Sequence, residues 1–300
     1  MKSFFSFSIF SFLAQLISSL RPLNLFLIVL TQTLTSVFLL DNSLCVSNLF
    51  SKYDSISCLD FYFLVLATVL SAAAGYILND SFDRKIDLIN SPRRGLFTEK
   101  NLSFLYFLSS LFFGVALFLG FVISLQIGFS VLLSIGLLIF YAKNSKSIGI
   151  LKPIIVSLLT GFSILLVGLL YSNSIHSIPN IICFFAFWAF LLSMLREIIK
   201  DFEDLEGDSL ENSFTSVIQL GKKNSLILLH FVSVLLIFSI IISVFFSTND
   251  FANSIHKLIM IILIGIFLFL LNNQELNSYK KLSLFCKIMM LVGILGMIVY

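Results

Sequence analysis

The chain has 300 residues, of which 58% are hydrophobic and only 12% charged, with a formal net charge of +3. Charge this scarce cannot cover a water-facing surface, so an ordinary soluble domain is excluded and an integral membrane protein is implied. A charge of +3 is also too small for a nucleic-acid footprint, and no nucleic-acid partner is expected.

In chain order, residues 1–21 come first. Phe4 to Leu20 follows Lys2 like a secretory signal, but it lacks a small-x-small cleavage site and runs into Arg21 and Pro22. It reads as an interfacial helix rather than a cleaved leader. Residues 22–300 then form an all-α domain. Charge-poor runs long enough to cross about 30 Å of hydrocarbon fall near 22–40, 61–79, 102–121, 123–141, 153–171, 180–199, 224–247, 258–273 and 282–299, predicting nine spans. The last contains Lys287, whose ammonium must snorkel to an interface.

Basic residues mark the cytoplasmic ends of spans. With the amino terminus inside, all but two of the 19 Lys and Arg fall on the cytoplasmic side, the exceptions being Lys52 and Lys257. The sequence thus predicts a multi-pass protein of the cell membrane, with a cytoplasmic amino terminus and an external carboxyl terminus. Cys45 and Cys58 lie in the first predicted outer loop, where free thiols are the preferred reading over a pair. Cys183 and Cys286 lie in or beside apolar spans and are expected simply to pack.

Of 16 acidic residues, 11 sit in two cytoplasmic stretches: Asp80, Asp83, Asp87 and Glu99, then Glu197, Asp201, Glu203, Asp204, Glu206, Asp208 and Glu211. The spacing D-x-x-D-x-x-x-D occurs in both, and offsets of three and seven predict three carboxylates on one helical face each time. Four predicted spans separate the sets, and an even number of crossings returns the chain to the same side. Two like charges about 4 Å apart repel by about 4 kcal/mol at an effective dielectric near 20, so apposed acidic faces call for a cation. Magnesium suits all-oxygen ligands and keeps positions for water and phosphate. The plainer reading is two solvated loops whose acids pair with Arg84, Lys85, Arg93, Arg94 and Lys200. The repeated spacing on one side argues against it. Asn79 offers a neutral oxygen beside the first set.

"NDSFDRKID" at 79–87 and "REIIKDFEDLEGD" at 196–208 resemble the two aspartate motifs of the UbiA superfamily of intramembrane prenyltransferases, a resemblance that covers the chain from Arg21 onward. It implies a nine-helix bundle with a central, laterally open cavity capped by the two acidic segments. It also implies magnesium held by Asn79, Asp80, Asp83, Asp87, Asp201, Asp204 and Asp208, with an isoprenyl diphosphate as donor. Arg21, Asn79, Arg94, Lys143, Lys146 and Lys200 are the candidates for diphosphate contacts, because their donors can meet phosphate oxygens as charge develops, with a generic positive-inside role the alternative for Arg94 and Lys143. Lys146, Asp87 and Asp208 are the catalytic candidates; the two acids could ligate metal, orient a base or deprotonate the acceptor. "YAKNSKSIGILKPIIVSLLTG" at 141–161 and "LRPLN" at 20–24 resemble two further family segments, which place Tyr141 and Asn24 on the acceptor side. Pro153 stands where many members carry Asn, a departure that concerns polar contacts in the fifth span.

The acceptor is a lipophilic molecule, either a glycerophosphate-like lipid or an aromatic quinone precursor; "KDFEDLEGD" most resembles members related to geranylgeranylglyceryl phosphate geranylgeranyltransferases and to chlorophyll or quinone-type enzymes. The heme-farnesylating branch is the alternative within the family, and a cation- or proton-coupled transporter the alternative outside it. A transporter, however, would carry its acids near mid-membrane. Thr31, Gln32, Thr33 and Thr35 are expected to hydrogen-bond between helices, His230 to be structural, His176 to lie away from the acidic side, and Gly75 with Ala72, Ala73 and Ala74 to permit close helix approach.

Overall fold

A computed structural model describes residues 14–40, 52–53, 56–90, 102–175, 179–210, 213–246, 251–272 and 279–300, with backbone alone for 52–53, 56–57, 84–90, 172–175, 206 and 210. The expected all-α architecture is present. Helix α1 covers 14–19. It is followed by α2 (Pro22–Leu34, continued by a π-helical turn at Thr35–Leu39), α3 (Cys58–Asn90), α4 (Leu102–Ile123), α5 (Leu125–Asn144), α6 (Leu151–Ile175), α7 (Asn180–Glu203), the short α8 (Leu205–Leu210), α9 (Ser216–Ser243), α10 (Phe251–Asn272) and α11 (Tyr279–Leu295). A two-residue antiparallel ladder, β1 (Lys52–Tyr53) with β2 (Ile56–Ser57), precedes α3. Among the described residues nine helices are long and apolar enough to cross a membrane.

Local chemistry sets the helix ends. Pro22 opens α2, where a missing N–H costs nothing and the fixed φ suits the first turn. Ser124, extended at φ −168°, separates α4 from α5 and accepts a hydrogen bond from the Ile127 N–H at 3.1 Å. Gly221 interrupts α9 with φ +78°, a conformation that a side chain would resist.

The chain divides into two compact units. The first is Met1–Val29, Phe63–Ser147 and Glu206–Ser213; the second is Leu30–Tyr62, Ile148–Leu205 and Phe214–Tyr300. In the first, α4 packs on α5 through small residues: a Cβ on Gly120 would lie 3.2 Å from the Gly128 Cα. Ile77 of α3 and Leu105 of α4 are fully buried, covered by Leu16, Leu20, Leu108 and Phe112. Gly75 permits the close approach expected of it, since a Cβ there would meet the Leu138 side chain at 2.8 Å. In the second unit α7 is central, packed by α6, α9 and α11. Gly161 of α6 lets that helix ride against the α7 backbone; a Cβ there would sit 2.7 Å from the Ala186 carbonyl oxygen.

Of the polar residues expected to do so in the first span, Gln32 and Thr35 hydrogen-bond between helices. Gln32 donates to the Ser163 carbonyl at 3.0 Å, and Thr35 bonds the Thr31 carbonyl and the Met297 sulfur. His230 is structural, its ring nitrogens at 2.7 Å from the Leu226 carbonyl and 3.0 Å from Asn272 Oδ1. Large apolar side chains such as Phe107, Phe118, Phe129, Phe231 and Phe269 are more than half exposed, as a lipid-facing surface requires. Cys183 and Cys286 are free thiols; Cys286 is buried as expected, whereas Cys183 is exposed on the apolar surface rather than packed. Cys58 is disulfide-bonded, which corrects the free-thiol reading at that residue; Cys45 lies outside the described residues.

Candidate active site

In the first unit the functional side chains gather where α3 leaves the apolar part of its run. The α3 backbone stays helical from Cys58 to Asn90, so Asp80, Asp83 and Asp87 do share one helix. Asp80 is buried and takes a 2.9 Å ion pair from the Arg21 guanidinium. Breaking a pair with so buried a carboxylate is costly, because that charge is poorly solvated. The same guanidinium lies 4.7 Å from the Tyr76 ring centroid, and the Tyr76 hydroxyl accepts a bond from Asn24 Nδ2 at 3.4 Å. Tyr76 therefore ties together two residues of the "LRPLN" segment.

Arg21 has φ +51°, in the left-handed region that bulky residues avoid and directly before a proline. Strain of this kind marks functional positions when the surroundings enforce it. Here the Asp80 pair and the Tyr76 ring do so. One turn beyond Asp80, Asp83 accepts a 2.9 Å bond from Ser145, which joins the end of α5 to the motif. The next residue, Lys146, is half-buried and in no ion pair among the described residues, whereas Lys143 is exposed. Tyr141 lies half-buried in the last turn of α5. The Asp87 side chain and the whole of Arg94 lie outside the described residues.

The second motif departs from the expected single helical face. Asp201 is in the last turns of α7, but Asp204 is the residue that ends the helix, at φ −90° and ψ 2°, with its N–H bonded to the Lys200 carbonyl. Asp208 begins again in α8 and groups with the first unit, while Asp201 and Asp204 belong to the second. The period-of-seven argument fails here because the helix stops between its second and third acids.

Asp201 itself is almost fully enclosed, at 2% exposure. Lys152 Nζ donates to its Oδ1 at 3.1 Å, and Ser216 donates to its Oδ2 from both the hydroxyl (2.7 Å) and the backbone N–H (3.2 Å). Asp204 is half-buried, and its carboxylate makes no hydrogen bond or ion pair among the described residues. Lys200 is half-buried and likewise without an ion pair there. Glu197 pairs with Arg196 at 2.5 Å.

Composition flagged the acids and cations, but Tyr76, Ser145, Lys152 and Ser216 were not singled out as site residues. Lys152 had been placed only on the cytoplasmic side. Its neighbour Pro153 occupies the first turn of α6, where a missing N–H costs nothing. Among the described residues no three His, Cys, Asp or Glu side chains gather closely enough to hold a metal ion by themselves. The donors nevertheless suit magnesium. They are oxygens throughout, and Asn79 Oδ1 is buried beside Asp80 with no hydrogen-bond partner among the described residues.

Comparison with known proteins agrees with this arrangement. Residues 43–292 match the UbiA prenyltransferase family. A digeranylgeranylglyceryl phosphate synthase of Methanosphaera stadtmanae is 33% identical over 233 residues, covering 76% of this chain and 83% of that protein. The structure superposes on a solved digeranylgeranylglyceryl phosphate synthase with a TM-score of 0.74 at 26% identity, over 96% of this chain and 97% of the other. A UbiA homologue from Archaeoglobus fulgidus bound to GPP and Mg2+ shares the fold, with a TM-score of 0.59 at 16% identity over 95% and 100% of the two chains. Nine spans and a sequence match running through both aspartate motifs make the chain a membrane-embedded prenyltransferase that belongs to the UbiA prenyltransferase family.

Proposed function

We propose that this chain joins a geranylgeranyl-type isoprenyl group to a glycerophosphate-like lipid, as a digeranylgeranylglyceryl phosphate synthase does. The acceptor hydroxyl oxygen forms a new ether bond to the allylic carbon, the bond from that carbon to the diphosphate breaks, and pyrophosphate and a proton leave. The observation that carries this reading is the 33% identity, over three quarters of the chain, to a synthase of that name.

Magnesium, when bound, would neutralise the departing pyrophosphate and so favour ionisation of the allylic bond. Asn79, Asp80, Asp83 and Asp87 from the first motif and Asp204 and Asp208 from the second are its proposed ligands. Arg21, Lys146 and Lys200 are proposed to contact the diphosphate, with Arg94 and Lys143 as further basic candidates. Arg21 is supported most directly, because the Tyr76 ring and Asp80 hold its guanidinium in place before any substrate arrives. Asn24 and Tyr141 are proposed on the acceptor side. Asp87 and Asp208 are the candidates for taking the acceptor's proton. The motifs and the amino terminus are proposed to face the cytoplasm; a disulfide at Cys58, before the start of the second span, supports an oxidising environment at the other side.

The test is a product-mass assay. Purified protein receives labelled geranylgeranyl diphosphate, magnesium and, in turn, geranylgeranylglyceryl phosphate, hydroxybenzoate, homogentisate, dihydroxynaphthoate or heme. The expected product forms with the glycerophosphate lipid, and Asp83→Ala abolishes it while leaving membrane insertion intact. Product with only an aromatic acceptor or heme would overturn the proposal.

A further inference from the structure

We propose that Asp201 is a positioning residue and not a magnesium ligand: held by Lys152 and Ser216, it fixes the last turn of α7 so that Asp204, which ends that helix, is the acid presented to the metal. The proposal rests on the reading of Asp204 as a ligand and reassigns its neighbour.

Three helix ends meet at Asp201. Lys152 is the second residue of α6, Asp201 lies in the final turns of α7, and Ser216 is the first residue of α9. The first N–H groups of a helix have no partner within it. Thr215, at the cap position of α9, makes no side-chain cap bond, and the Asp201 carboxylate takes the Ser216 N–H in its place. A negative charge at a helix start is favoured by the helix dipole as well.

A second cap runs between the same two helix starts. Gln219 of α9 accepts from the Ile150 N–H, at the entrance to α6, at 2.8 Å. The backbone joins in, with Gly149 N–H donating to the Phe214 carbonyl at 2.9 Å. Gly149 holds φ +52°, and a Cβ there would collide with the Gln219 side-chain oxygen. Through Lys152 the start of α6 also reaches the carboxylate that caps α9. Each of these contacts serves the same clasp.

The clasp leaves Asp201 ill suited to magnesium. Three donors already occupy its two oxygens, one of them an ammonium whose charge repels a divalent cation. Magnesium also sheds water reluctantly and favours wetter carboxylates. Asp204, three residues on, is half-buried and unengaged among the described residues, and its place in space depends on where α7 ends.

Manganese binding followed by electron paramagnetic resonance on the full-length protein in detergent separates a clasp from a ligand. Asp201→Asn alone should weaken Mn2+ binding about tenfold or more, because the neutral side chain no longer offsets the Lys152 charge and the clasp on the last turn of α7 loosens. The neutral pair Lys152→Gln with Asp201→Asn, which can still hydrogen-bond, should return affinity to within about threefold of wild type. A double variant that binds as poorly as Asp201→Asn would overturn the clasp, because a lost ligand cannot be restored by removing a lysine. Asp204→Asn must lose Mn2+ binding; if it does not, the magnesium reading of this motif falls, and this proposal with it. Should Asp201→Asn fail to fold, Ser216→Ala decides the matter. It touches no reacting group, so a raised Mn2+ requirement supports positioning and an unchanged one overturns it.

Discussion

Tyr76 shows what a single side chain contributes where no sequence pattern announces it. Its ring lies under the Arg21 guanidinium and its hydroxyl takes Asn24, so one residue aligns a diphosphate candidate and an acceptor-side candidate. Cation–π contacts of this kind are worth about 0.5–2 kcal/mol. Tyr76→Leu should therefore raise the KM for prenyl diphosphate by roughly 2- to 30-fold. Tyr76→Phe, which keeps the ring, should leave that KM near wild type and shift the KM for acceptor instead. Steady-state kinetics with each substrate varied in turn checks the split, and equal effects of the two variants would contradict it. The acids were legible in the sequence because a charge in so apolar a chain needs a reason. Tyr76, Ser145 and Ser216 were silent, since Tyr and Ser are ordinary residues in membrane helices and acquire a role only through partners far along the chain.

Helix positions were legible to within a few residues wherever hydropathy alone sets them: the third span was expected at 102–121 and runs Leu102–Ile123. Ends were missed where a helix outlasts its apolar run. The second span was read as stopping at 79, yet α3 continues to Asn90, and the seventh was read from 224 although α9 begins at Ser216. In both, the extra turns carry polar residues that hydropathy assigns to a loop but backbone hydrogen bonding keeps helical. The break of the second motif at Asp204 was invisible for the opposite reason. Nothing in "KDFEDLEGD" signals a helix end three residues before its glycine, and the stop accompanies contacts from α6 and α9.

Helix packing itself predicts a contrast between two glycines. Gly161→Ala places a methyl group 2.7 Å from the Ala186 carbonyl oxygen and should destabilise the protein by about 1–3 kcal/mol. Gly136, with nothing within 4 Å of its would-be Cβ, should accept Ala with a gain of about 0.5–1 kcal/mol. Thermal denaturation in detergent orders the two, and equal midpoints would refute the assignment of Gly161 to close packing.

For the whole molecule, the nine spans and the distribution of basic residues predict orientation, and chemical labelling reads it. Ser147, exposed in the turn after α5, and Phe246, exposed after α9, fall on opposite predicted sides. In a Cys183→Ser background, a membrane-impermeant maleimide should label Phe246→Cys on intact cells and Ser147→Cys only after permeabilisation. The reverse pattern would invert the topology. Fold class was readable at this scale because the bilayer leaves few architectures open to an apolar chain. The division of the second motif between two compact units was not, since unit boundaries depend on contacts between residues more than a hundred positions apart.

The left-handed backbone at Arg21 sets stability against chemistry in one amino acid. An L side chain at that angle costs about 1–2 kcal/mol that glycine would not incur, but glycine would also forfeit the Asp80 ion pair and the Tyr76 ring contact. A variant with glycine at this place should melt later than one with alanine, because both lose the guanidinium and only glycine escapes the cost of the angle. The difference between those two melting temperatures isolates what the backbone angle by itself costs the fold.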